Sequence, residues 1–292
     1  MKRILSITFL LAICFGANSL DWESIKADSR YVWGEGWGKS LEEADQQALA
    51  SLVSKITVSV TSDYRQVESQ VHSPFADESS VLLSNTVLSY SSVTLTNTQR
   101  IVVKSGRRFQ VGRWIRIDDL SVIFADRKAR ALEYERAAVL AEKDGRIDDA
   151  LRYHYWAYTL VKSLQRPSEA KDDAGRILLN WIPEEMNSIL GKIRVSCAGK
   201  TGDVIRLRFT WNGRPVQSLD FSYFDGAKWL RGLPVRNGDA QLQMARGALG
   251  EYIQLRIEYA YRGDARIDGE LFEVMSLLVS GRLKKSEIIF RR

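Results

Sequence analysis

The side chains best suited to bond-making chemistry here are two histidines, two cysteines and a series of adjacent carboxylates. General acid–base catalysis needs an acid and a base brought together, and a zinc site needs His, Cys or carboxylate ligands at short spacings. His72 lies in a polar stretch. His154 stands beside Tyr153, Tyr155 and Trp156 with no nucleophile or ligand spacing around it, so it reads as a packing residue. Cys14 falls in the N-terminal apolar run, leaving Cys197 alone, which reads as a buried strand thiol without a disulfide partner. The pairs Glu42-Glu43, Asp118-Asp119, Asp148-Asp149, Asp172-Asp173 and Glu184-Glu185 complete the set, and four of these five fall at expected helix starts. There, negative charge complements the helix dipole and caps free amides. Calcium-loop spacing is absent, and Gly34-x-Gly36-x-Gly38 does not match a phosphate-binding loop. The expectation is a protein without metal or cofactor that does not catalyse. The alternative is a hydrolase acting on an envelope polymer at an interdomain cleft, with Glu184-Glu185 as its acid–base pair.

Two groups of residues suit binding better. Tyr31, Trp33 and Trp37 alternate along one segment and form an aromatic ridge, which would bury large flat area against a protein or saccharide partner unless the later helical zone covers it. Lys104, Arg107, Arg108, Arg113 and Arg116 cluster around a hairpin and would meet anionic lipid or lipopolysaccharide phosphate, or else guard a sheet edge. The net charge of +6 is too mild to suggest a nucleic-acid partner, and envelope proteins are the expected partners.

The elements that position these residues follow from periodicity. Residues 1–19 read as a signal peptide: Lys2 and Arg3 precede an apolar run from Ile4 to Phe15, and Ala17-Asn18-Ser19 offers a cleavage site. Ile13 stands where a lipobox needs a small residue, so cleavage is expected and lipidation at Cys14 is not. The mature protein would be periplasmic, outer-membrane-associated or at the cell surface. Residues 20–124 predict an α+β domain of β-α-β-β-β order. In its first strand, Val32, Gly34, Gly36 and Gly38 point away from the aromatic ridge, opening a face that another backbone can approach. Ser40-Leu41-Glu42-Glu43 is a capping box, and the helix it starts, to about Lys55, stripes Leu41, Ala44, Ala48, Leu49, Leu52 and Ile56 on one face. Thr57–Thr61 alternates as a strand, residues 72–80 read as a loop, and strands follow at 87–103 and 109–117.

Residues 125–191 predict a helical connector: helices over 131–142 and 148–164 separated at Gly145, and a third over 173–190 interrupted at Pro183. Residues 192–292 read as short strands over 193–196, 204–211, 216–224, 240–244, 252–261 and 288–290, with turns at Asn212-Gly213, Asp225-Gly226 and Asn237-Gly238, which suggests a β-sandwich.

The string from Tyr31 to Val60, an aromatic-glycine strand, a Ser-capped helix and a β-branched run, resembles the opening of the twenty-kilodalton outer-membrane lipoprotein family. That group takes in the flagellar outer-membrane protein FlgP and resembles the N-terminal domain of FlgT. The resemblance implies an exported, non-enzymatic envelope component and carries no active site. Ala138, Gly145, Ala150, Leu151 and Ala157 fall at spacings similar to one tetratricopeptide hairpin, and residues 212–244 resemble extracellular Ig-like and prealbumin-like modules. Such modules bind or space.

Overall fold

The computed structural model describes residues 21–68, 75–76, 95, 98–243, 252–277 and 282–291. The expected signal peptide with Cys14, His72 and most of the strand expected from residue 87 lie outside the described residues. The fold is α+β, with a small helix-on-sheet unit at the N-terminus and a large antiparallel sheet at the C-terminus.

The N-terminal unit comprises α1 (Trp22–Ala27), β1 (Tyr31–Gly38), α2 (Leu41–Glu68), β3 (Gln99–Lys104) and β4 (Phe109–Arg116). Its antiparallel sheet has the order β1-β4-β3. The capping box forms: the Ser40 hydroxyl accepts from the Glu43 amide at 3.1 Å, and the Glu43 carboxylate accepts from the Lys39 amide at 2.7 Å. The small side of β1 then lets α2 lie directly on the sheet. A Cβ added at Gly36 would sit 2.2 Å from the Ala44 carbonyl oxygen and the Ala48 nitrogen; at Gly34 it would meet the Leu52 nitrogen at 2.2 Å. Ala44, Ala48, Leu52, Val53 and Ile56 are buried along that contact.

The strand expected at Thr57–Thr61 is instead part of α2. β-branched residues cost a helix only a few tenths of a kcal/mol each relative to good formers, and each added residue of an established helix gains a hydrogen bond. Among the described residues the unit therefore has the order β-α-β-β, one strand fewer than expected. Within the expected loop, Phe75–Ala76 forms a short strand, β2, which pairs with β12 (Arg282–Leu283) near the other end of the chain.

Helix α3 (Ile117–Lys143) begins at the residue after β4 ends, fourteen positions before the helix expected from Ala131. Its first turns place Leu120 and Phe124 against Leu52, Val53 and Ile56 of α2; its later turns place Ala131 and Ala141 in a second, much larger core. Gly145 ends the helix at φ +73°, with the Arg146 amide donating back to the Ala141 carbonyl at 2.8 Å, and α4 (Ile147–Lys162) returns antiparallel. Helix α5 (Leu178–Lys192) contains Pro183 without a break and starts five residues later than expected. The helical zone does not stand apart from the sheet: Ala150, Trp156, Ile182 and Met186 share one core with Phe209, Phe221 and Leu255.

The C-terminal strands are β5 (Ile193–Thr201), β6 (Val204–Trp211), β7 (Arg214–Pro215), β8 (Ser218–Phe224), β9 (Trp229–Arg236), β10 (Asp239–Gln243), β11 (Tyr252–Ile257) and β13 (Glu287–Arg291). They form one hydrogen-bonded path, β13-β11-β8-β9-β10-β6-β5, with β7 beside β6. The path curls. Phe209 on β6 and Phe221 on β8 lie three strands apart, about 14 Å in a flat sheet, yet their ring centroids are 5.1 Å apart. The Val216 amide, just before β8, donates to the Phe209 carbonyl. The two inner faces thus meet as in a sandwich, although the hydrogen-bonded path is continuous. Asn212-Gly213 and Asn237-Gly238 both turn at positive φ, as two-residue hairpins require. β9 is a strand not among those expected, and α6 (Gly269–Leu277) is a helix within the segment expected to be all strand, packing Leu271 and Met275 into the core. Among the described residues, no helix is long and apolar enough to cross a membrane.

Candidate functional surface

The aromatic ridge is largely covered, and by α1 rather than by the helical zone. Trp22 is buried over the face of β1 and β4 that points away from α2, edge-on to Trp33 at 5.7 Å and tilted against Trp114 at 6.4 Å. Gly112 makes room for it: a Cβ there would stand 2.4 Å from the Trp22 ring. On Trp33, the Lys55 ammonium lies 3.1 Å from the ring centroid, and burial lowers its pKa. Tyr31 and Trp33 are half-buried packing residues, while Trp37 stays 39% exposed.

The five expected cations separate into three places. Arg113 points to the α2 side and makes a two-armed pair with Asp45, at 2.6 and 2.8 Å, and a bond to the Thr98 hydroxyl at 2.9 Å. The Arg113 hydrogen bonds hold the Asp45 carboxyl below its ordinary pKa, with Arg100 adding to the effect. Arg113 is thus a strut between sheet and helix and not part of a ligand surface. Arg116 pairs with Asp118 at 3.1 Å at the far end of β4, about 24 Å along the strand from Phe109. Only Lys104, Arg107 and Arg108 remain at the hairpin, exposed, with no ion-pair partner among the described residues. Register brings others to them. Trp37 pairs with Gln110, Gln110 pairs with Lys104, and Gly38 pairs with Phe109, so Trp37 and Lys39 reach the same end of the sheet. Val102 and Val103 are exposed beside Lys104. Lys39, Val102 and Val103 escaped the sequence reading; only the β1-β4-β3 register would have pointed to them.

Two other places merit comparison. In the helical zone His154 is fully buried, edge-on to Trp181 at 5.4 Å, and neither ring nitrogen has a hydrogen-bond partner among the described residues. Burial, with Arg176 nearby, pushes its pKa down to about 3, so the ring is neutral. Arg176 lies over Trp181 at 3.5 Å and pairs with Asp172 at 2.5 Å and Glu135 at 3.6 Å; burial raises the pKa of Glu135. This is a packed polar seam between helices.

The second place is an open cleft of about 510 Å³ on the outer side of the C-terminal sheet, bordered by Asp220, Trp229, Arg256 and the segment 258–264. Its carboxylates are largely engaged. Glu258 accepts from the Ala260 and Tyr261 amides, and Asp264 pairs with Arg152. Asp220, whose pKa burial raises, faces Arg236 at 3.9 Å. Glu184 and Glu185 are not on its lining; as successive residues of α5 they point about 100° apart. Among the described residues no group of three or more His, Cys, Asp or Glu is arranged to hold a metal ion. Cys197 is exposed, not buried as expected. It shares the inward parity of Ile193 and Val195, but β5 is the last strand of the sheet and has a neighbour on one side only.

Compared with protein-family models, curated proteins and solved structures, the chain matches none.

Proposed function

We propose that this chain is an exported, non-catalytic scaffold or binding protein of the cell envelope, which meets anionic envelope material through the β3–β4 hairpin. The observation that carries this is the contrast among its cations. Arg100, Arg113, Arg116, Arg127, Arg130, Arg136, Arg146 and Arg152 all face a carboxylate within the fold. Lys39, Lys104, Arg107 and Arg108 face none among the described residues and gather at one end of one sheet. A cluster of cations left without internal partners suits an external anion. The leader-like N-terminus and the resemblance of residues 31–60 to the twenty-kilodalton outer-membrane lipoprotein family support the envelope assignment.

The test is co-sedimentation of the mature protein with anionic vesicles and with lipopolysaccharide, at low and high salt, beside a variant carrying Lys104→Ser, Arg107→Ser and Arg108→Ser. The expected result is association that fades with salt and drops sharply in the variant, because exposed charges are screened beyond about 8 Å at physiological ionic strength. Equal association of the two proteins at low salt overturns the proposal.

A further inference from the structure

The hairpin end of the N-terminal sheet carries apolar side chains among its cations. Three of the nine exposed large apolar residues among the described residues, Trp37, Val102 and Val103, lie there. They are 39%, 43% and 37% exposed, on two strands that do not touch each other. The bulge between Val102 and Lys104 sets two residues of β3 against Gln110 of β4, so Val103 and Lys104 turn to the side that Trp37 occupies. Across the middle strand, Trp37 stands about 10 Å from that pair. Lys39, Arg107 and Arg108 flank the apolar residues. Glu42 and Glu43 open α2 at the same end, and the Glu43 carboxylate is held by the Lys39 amide.

We infer that this end of the sheet is a membrane-docking wedge: Trp37 and Val103 enter the boundary between headgroups and acyl chains of an anionic bilayer, while the surrounding cations hold the lipid phosphates. The inference rests on the function proposed above and narrows its anionic partner to a lipid surface. A soluble polyanion needs only the cations, and leaves the exposed Val and Trp side chains in water. A bilayer uses both parts. Indole rings favour the headgroup level, aliphatic side chains reach just below it, and Lys and Arg lay their stems on the apolar zone while their charges stay at the phosphates. With about a fivefold gain in partition per cation near an anionic leaflet, three or four cations and a shallow apolar insertion give reversible attachment without a spanning helix.

The experiment uses the full mature protein with vesicles of phosphatidylcholine alone or mixed with phosphatidylglycerol, the acyl chains brominated at a shallow position. Wild type is compared with Trp37→Phe and with Val103→Asp, a change at an exposed position, and circular dichroism checks that each variant is folded. The expected result is binding to the mixed vesicles, bromine quenching that is largely lost in Trp37→Phe, and at least a tenfold weaker partition of Val103→Asp. If wild type binds but quenching is the same without Trp37 and Val103→Asp binds equally well, the wedge is overturned while attraction to anions stands. Binding to lipopolysaccharide-derived phosphorylated oligosaccharide but to neither vesicle likewise overturns the bilayer and spares the anionic partner. Failure to bind any of these removes both proposals and leaves a protein partner.

Discussion

Where β1 meets α2, backbone touches backbone. The residues that make the contact are Gly34, Gly36, Ala44 and Ala48, and the space between strand and helix is smaller than a methyl group. Inside the C-terminal sheet the opposite holds: Trp156, Phe209, Phe221 and Tyr223 fill the volume between curled faces and four helices. The first interface is defined by the side chains it lacks, the second by those it contains. They should therefore fail in opposite ways, the first when an atom is added and the second when atoms are taken away.

The largest effect is expected from removal in the sheet core. Phe209→Ala deletes a fully buried ring packed on Phe221 and should destabilise the protein by about 3–5 kcal/mol. Chemical denaturation gives the value; a cost under about 1 kcal/mol would show that the curled faces do not depend on filled volume. Addition in the N-terminal unit comes next. Gly36→Ala brings a Cβ to within 2.2 Å of two backbone atoms, so strand and helix must part. A loss at the upper end of the ~1–3 kcal/mol range of overpacking is expected. Gly269→Ala, with nothing within 4 Å of the added carbon, is the control and should change stability by at most about 0.5 kcal/mol. Similar melting shifts for the two glycine variants would break the comparison.

The smallest effect concerns a buried group with no hydrogen-bond partner among the described residues. His154 has a folded pKa near 3 against an ordinary 6.5, so below pH 6.5 the unfolded chain takes up a proton that the folded chain refuses. Stability from this residue is fully present above pH 6.5 and declines as pH falls towards 3, by on the order of 2 kcal/mol over the first two units after allowance for relaxation. Glu135, with its pKa raised by burial, acts in the other sense: its contribution is present at low pH and lost as pH rises through its folded value. Melting curves of wild type and His154→Leu between pH 7 and 4.5 isolate the first term. Parallel pH dependence of the two proteins would mean that the ring is solvated.

What the sequence disclosed is what local chemistry decides. The Ser40–Glu43 box, the glycine side of β1, the end of α3 at Gly145 and the Asn-Gly turns each depend on residues within a few positions, and each appears where expected. Misreadings arose where a distant partner decides. Thr57–Thr61 alternates like a strand but continues a helix already under way. β9 holds Gly232 and Pro234, which argue against a strand unless β8 and β10 lie on either side. At the candidate surface, Trp22 and Asp45 withdrew Trp33 and Arg113 from solvent, and nothing near either residue in sequence announced it. Lys104, Arg107 and Arg108 kept their place because a hairpin tip has few neighbours to claim them.

Helix α3 has a mechanical consequence. With no residue between its first turn and the end of β4, and about 40 Å of uninterrupted helix beyond, it works as a lever whose short arm is the three-stranded sheet. Arg127 and Arg130 clamp its middle to Glu270 and Asp268 at the start of α6. A hinge would let the sheet end seat itself on a surface while the rest of the molecule swung freely. A lever does not: a tilt of about 5° at the hairpin carries the far end of α3 through about 3.5 Å. The attitude of the N-terminal sheet on whatever it touches thereby sets the direction in which the C-terminal sheet faces.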